Sequence, residues 1–160
     1  MSRFSLIAPL LATALASAGA VAQEAGTYAA ELSRVYEARQ FIQAVKDGCD
    51  AAEPATRGPN EIAYKAWRKR HQSLLDELER RFTAMIRRAS TGPKDYAVNV
   101  GKYEGQVLEH LEQMKKEFLA QGPEAVGRQC KDFPEYLKSE AADLRKRYAS
   151  ELKTIRKRKP

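Results

Sequence analysis

PKDYAVNVGKYEGQVLEHLEQMKKEFLAQ, residues 93–121, decides the fold class. Tyr96, Val100, Tyr103, Val107, Leu111, Met114 and Phe118 follow one another at spacings of three or four. That period lays seven apolar side chains along one face of an α-helix and leaves the charged residues on the other. A strand would need alternation at period two, and no run of the chain shows it. Both ends carry helix punctuation. Thr91-Gly92-Pro93 precedes the segment with Pro93 at a first helical position, and Gly122-Pro123 ends it.

Upstream, residues 60–90 form a second helical segment of similar length, about 30 residues or ~45 Å. Its stripe is Ala63, Trp67, Leu74, Leu78, Phe82 and Met85, and Asn60 is the expected N-cap. A loop containing Pro54, Gly58 and Pro59 separates it from a first helix over residues 24–47. There Leu32, Val35, Ile42 and Val45 share a face with Tyr28, Tyr36 and Phe41 nearby, and Gly48 is the expected stop. Downstream, residues 123–157 form a fourth segment carrying Phe133, Leu137, Leu144, Tyr148, Leu152 and Ile155, with a kink expected near Pro134. Short turns between long helices place neighbours antiparallel, so the expected architecture is an all-α, up-down-up-down four-helix bundle.

The cysteine positions fit that topology. Cys49 follows the first segment and Cys130 lies early in the fourth, and an up-down bundle brings those two points to one end. They are the only cysteines, and one Cys49–Cys130 disulfide is expected.

Residues 1–22 read as a signal peptide. Arg3 precedes an apolar run, Phe4 to Ala16, and Ala20-Val21-Ala22 fits a small-x-small cleavage site. The run is short of the ~20 residues a membrane span needs. A periplasmic or secreted protein beginning near Gln23 is therefore expected, with one domain over 23–160 and no transmembrane segment. Disulfide formation is consistent with such a compartment.

The net charge of the whole chain is +7, and removal of Arg3 with the leader leaves +6. The basic tail over residues 144–160 holds Arg145, Lys146, Arg147, Lys153, Arg156, Lys157, Arg158 and Lys159 against the single acid Glu151. All the excess positive charge thus resides there. Arg87, Arg88 and Lys94 flank the turn expected at the same end of the bundle, opposite the disulfide. A positive end of this kind attracts lipid headgroups, lipopolysaccharide phosphates or an acidic protein. Nucleic acid is not expected as a partner outside the cytoplasm. The final Arg-Lys-Arg-Lys run is expected to protrude from the bundle.

Trp67, within the basic run Tyr64 to His71, continues the apolar stripe and reads as core. His71 and His110 are the only histidines and fall at similar heights on adjacent antiparallel segments. Bundles can hold metal or haem between such residues, with Glu37 or Glu140 as added carboxylates, and this is the alternative reading. The Glu-x-x-His pattern of di-iron bundles is absent, since Val107 stands three before His110, and no C-x-x-C-H run occurs. No nucleophile elbow, Gly-rich phosphate loop or H-E-x-x-H is present either. A non-enzymatic interaction protein without a cofactor is the expected class.

Overall fold

The computed structural model describes the backbone of residues 16–158 and the side chains of 28–158. Most of the expected signal peptide, residues 1–15, and Lys159 in the tail lie outside the described residues. The described chain is helical without a strand. Six helices appear, α1 Ala16–Ala52, α2 Arg57–Ala89, α3 Pro93–Leu119, α4 Pro123–Lys138, α5 Leu144–Arg147 and α6 Ala149–Arg156. Two single 3-10 turns, Pro54–Thr56 and Glu140–Ala142, join α1 to α2 and α4 to α5.

Contacts across the core give the helix directions. Tyr64 of α2 donates to Gln43 of α1, while Tyr36 donates to Glu79 at 3.0 Å, so α2 runs back along α1. Tyr103 of α3 lies beside Tyr36, and Phe118 lies against Gly48, so α3 runs in the sense of α1. The remainder returns along α2. Trp67 meets Ala142, Arg70 meets Leu137 and Arg81 meets Ile155.

The apolar stripes form one core. Leu32, Val35, Trp67, Leu74, Leu78, Phe133, Leu137, Leu144 and Ile155 are almost completely buried. At ~25 cal/mol per Å² of apolar surface removed from water, such residues supply most of the drive to fold. The α3 seam is the exception. Only Phe118 is fully buried, and the other six seam residues are half-exposed because α3 covers the margin of the core. The disulfide ties α1 to α4 between Cys49 and Cys130, with Cα atoms 5.3 Å apart and both residues inaccessible to solvent. Lys46, nearly buried, adds a second link at this end, reaching Asp50 on its own helix at 2.7 Å and Glu61 on α2 at 2.9 Å.

Four local expectations are corrected. Gly48 does not stop α1, which continues through Cys49 to Ala52. Its lack of a side chain serves packing instead, since a Cβ there would lie 2.5 Å from Cδ1 of Phe118. Asn60 does not cap α2. The helix starts three residues earlier, taking in Gly58 and Pro59, and Asn60 is buried with Nδ2 donating to Thr56 Oγ1 at 3.0 Å. Proline is tolerated in the first turn because the N–H it lacks has no partner there. Pro134 does not interrupt α4, which runs to Lys138 with Phe133 and Leu137 buried on either side. Finally, the fourth segment is not one helix but three, so the described residues form six helices where four were expected.

The break between α4 and α5 is held by side chains of α2. Trp67 Nε1 donates to the Ala142 carbonyl at 2.7 Å, and Arg70 donates to the carbonyl of Leu137. Arg145 returns the contact, donating to the Arg70 carbonyl and to Ser73 Oγ, each at 2.9 Å. Asp143 caps α5 by accepting from the amides of Arg145 and Lys146 and also meets His71 Nε2 at 3.3 Å. Backbone groups freed by the break thus find partners, which a buried polar group requires.

Candidate functional site

The basic tail is the strongest chemical feature of the sequence, and the break at residues 139–143 determines where its charges fall. α5 lies level with Arg70 and Ser73 of α2, and the last turn of α6 lies level with Glu77 and Arg81. At 1.5 Å per residue the positive groups extend ~16 Å along α2. They form a strip and not only an end.

Each tail residue has its own surroundings. Lys146 pairs with Glu140, and Arg147 reaches the Ala141 carbonyl and covers the ring of Tyr148. Arg156 grips Glu77 through both Nε and Nη2, at 3.1 and 2.7 Å. Burial opposes ionisation of Glu77, but the hydrogen bond from Arg156, assisted by Arg81, holds this carboxyl below its usual range. Arg158 lies over the ring of Tyr28. Lys153 and Lys157 are exposed, and their side chains make no hydrogen bond or ion pair among the described residues. The segment through Arg158 therefore docks on the helices, whereas the sequence pointed to a protruding run. The docking comes from Glu77 and from the carbonyls of Ile155 and Arg158, which accept from Arg81 Nη1 at 3.0 and 2.7 Å.

Arg81 is the residue that sequence reasoning missed. It is only 6% exposed and clamps the end of α6 onto α2. The signal was present. Arg81 stands seven residues after Leu74 and three after Leu78, inside the apolar stripe, where an arginine needs acceptors. His71 was legible in the same way, four after Trp67 and three before Leu74.

Arg81, eight residues before the end of α2, holds the end of α6. The side chains of Arg80 and Lys94 make no hydrogen bond or ion pair among the described residues, and Arg87 is spread over the ring of Tyr96. Arg80, Arg87, Lys94, Lys153 and Lys157 are exposed, and Arg156 and Arg158 are partly engaged. The disulfide lies at the end opposite the last turn of α6.

The two histidines have different surroundings. His71 is inaccessible to solvent, with Nδ1 3.0 Å from the Trp67 carbonyl and Nε2 facing Asp143. His110 is exposed on α3 and lines a cleft with Glu37 and Tyr36 of α1. Among the described residues, no group of three or more His, Cys, Asp or Glu side chains is arranged to hold a metal. No described helix is long and apolar enough to cross a membrane. No protein family, curated protein or solved structure was found to match this chain.

Proposed function

We propose that this is an exported, non-enzymatic interaction protein whose basic end engages an anionic partner, most simply the phosphate-bearing surface of a membrane or lipopolysaccharide. The observation that carries this reading is the concentration of charge. The tail holds the whole positive excess, and Arg81 holds its last turn against α2. Charges fixed on a folded scaffold lose less conformational freedom on binding than those of a loose tail. α4, α5 and α6 together take the place of the fourth helix in an up-down-up-down bundle, so the leader-proximal end of α1 and the basic end coincide. Tyr28, under Arg158, lies at that end. Binding is through distributed charge, since Lys153 and Lys157 are exposed to solvent.

The test is cosedimentation with vesicles containing anionic phospholipid, compared with neutral vesicles, across a salt series. Exposed charges are screened over ~8 Å at physiological ionic strength. Binding is expected at ~50 mM salt and is expected to fall steeply above ~150 mM. The double variant Lys153→Glu, Lys157→Glu should abolish it without changing the fold, because neither side chain supports another residue. Equal binding to neutral vesicles, or unchanged binding by the double variant, defeats the proposal. Capture of an acidic protein in place of lipid would redirect it to the second class of anionic partner.

A further inference from the structure

α3 carries a second seam besides the one that packs on the core through Tyr103 and Phe118. It runs through Lys94, Val98, Gly101, Gly105, Leu108 and Glu112, at alternating spacings of four and three. That is the a/d repeat of a coiled coil. At 3.6 residues per turn, Gly101 and Gly105 lie roughly 160° around the helix from Tyr103, so this seam faces away from the bundle. All six residues are exposed. Val98 is 49% exposed and Leu108 65%, two of the four large apolar side chains left exposed among the described residues.

The glycines are a separate sign. Glycine weakens a helix interior. A side chain at Gly101 or Gly105 would meet nothing within 4 Å, whereas one at Gly48 or Gly127 would meet Phe118 or Glu53. The fold of a single chain therefore does not need Gly101 or Gly105. A bare stretch of backbone between Val98 and Leu108 has the shape that a second helix can approach closely.

The seam is also complementary to itself read backwards. Gly101 and Gly105 stand two residues either side of Tyr103, Val98 and Leu108 five, and Lys94 and Glu112 nine. In an antiparallel pair of α3 helices with a two-fold axis at that level, glycine meets glycine and Val98 packs beside Leu108 of the second copy. Lys94 then faces Glu112 at both ends. A parallel pair would oppose Lys94 to Lys94 and Glu112 to Glu112. Glu112 lies 3.5 Å from Lys115 on its own helix but is 62% exposed, so it is open to a further cation. We propose that the outer face of α3 is a self-association surface, on which a second copy of this chain packs its own α3 antiparallel, centred between Gly101 and Gly105. Such an isologous contact closes at the dimer. One helix from each copy buries an area at the low end of specific interfaces, below about 1,200 Å², so micromolar affinity is expected. The inference does not rest on the function of the basic end.

The experiment is sedimentation equilibrium of the purified protein from about 5 to 500 µM, a range that brackets a micromolar dissociation constant. The mass should rise from one chain to two and go no further. Gly101→Gln with Gly105→Gln should weaken the dimer at least about tenfold, because two side chains then fill the closest approach. In dilute protein the same variant should melt at a higher temperature than the parent, since glutamine is the better helix former. Lys94→Glu or Glu112→Lys alone should weaken association about fivefold, through two repelling pairs. The double variant Lys94→Glu, Glu112→Lys keeps the net charge and should restore the parent affinity, because opposite charges face each other again. Far-ultraviolet circular dichroism verifies that each variant is folded. A single-chain mass at every concentration, masses beyond the dimer, unchanged association in the glycine variant, or a double charge exchange no tighter than the single reversals overturns the inference.

Discussion

His71 Nε2 lies 3.3 Å from Oδ1 of Asp143, linking the middle of α2 to the first turn of α5. His71 is inaccessible, and its other nitrogen already faces the Trp67 carbonyl. Asp143 in turn receives the amides of Arg145 and Lys146. One carboxylate therefore caps a helix and completes a buried side chain. Asp143→Ala removes both roles and should destabilise the protein by about 2 kcal/mol, as expected for a lost cap plus a buried unsatisfied group. Asp143→Asn keeps an acceptor and should cost less. Urea titration followed by fluorescence of Trp67, the single tryptophan, reads both values at the break itself.

The same carboxylate, with Glu77, makes stability depend on acid. Burial pushes Asp143 up, but the hydrogen bonds from His71 and from the amides of Arg145 and Lys146 outweigh it and hold the group below 3.8. Glu77 is held below 4.5 chiefly by Arg156. A lowered folded-state value means stability that is present above the unfolded-state values and is lost as pH falls through the folded ones. The denaturation midpoint should therefore be flat from pH 7 to about pH 5 and drop below about pH 4. The Glu77→Gln, Asp143→Asn double variant should show a shallower fall over that acid range. An equally steep fall would place the acid sensitivity in other carboxylates.

Reduction of Cys49–Cys130 opens a connection spanning 81 residues. Loop entropy alone assigns such a bridge about 4 kcal/mol. Reduced protein should unfold at markedly lower urea concentration yet keep its helical circular dichroism in water, because the stripes of α1, α2 and α4 still meet. A thiol assay on the folded, unreduced protein should find no free cysteine.

Truncation after Ile155 should cost stability. It removes Arg156 from Glu77 and the Arg158 carbonyl from Arg81, leaving a guanidinium at 6% exposure with one fewer acceptor. A loss of about 1–2 kcal/mol is expected. Lys153→Glu with Lys157→Glu should cost almost nothing. Comparing the melting temperatures of these two proteins separates the structural part of the tail from its solvent-facing charge.

Mass spectrometry of protein recovered from the exported fraction should give a chain starting at or near Gln23. A mature pool retaining Met1 would mean that the apolar N-terminus is kept as an anchor beside the basic end.

The residues 93–121 seam, the stripes of the other segments and the two cysteines were enough to read an all-helical chain with one disulfide. Apolar spacing is a local property, and the positions that bury Leu32, Trp67 or Leu137 are set by helical period alone. The turns at Gly92-Pro93 and Gly122-Pro123 were legible for the same reason. Gly122 takes a φ of 90° that only glycine adopts readily. Three matters depended on what lies across the core. Gly48, in isolation a helix stop, is a space for the ring of Phe118. Pro134 looked like the breaker of the fourth segment, yet the helix ends at Lys138, where Trp67 and Arg70 supply partners to the freed backbone and His71 faces the carboxylate of Asp143. The tail showed its charge but not its pairing, since Glu77 and Arg81 stand more than 70 positions before Arg156 and Arg158. Period and punctuation are written residue by residue along the chain. Whether a buried donor or a freed carbonyl is satisfied depends on groups distant in sequence, and only the packed tertiary structure brings them within hydrogen-bonding distance.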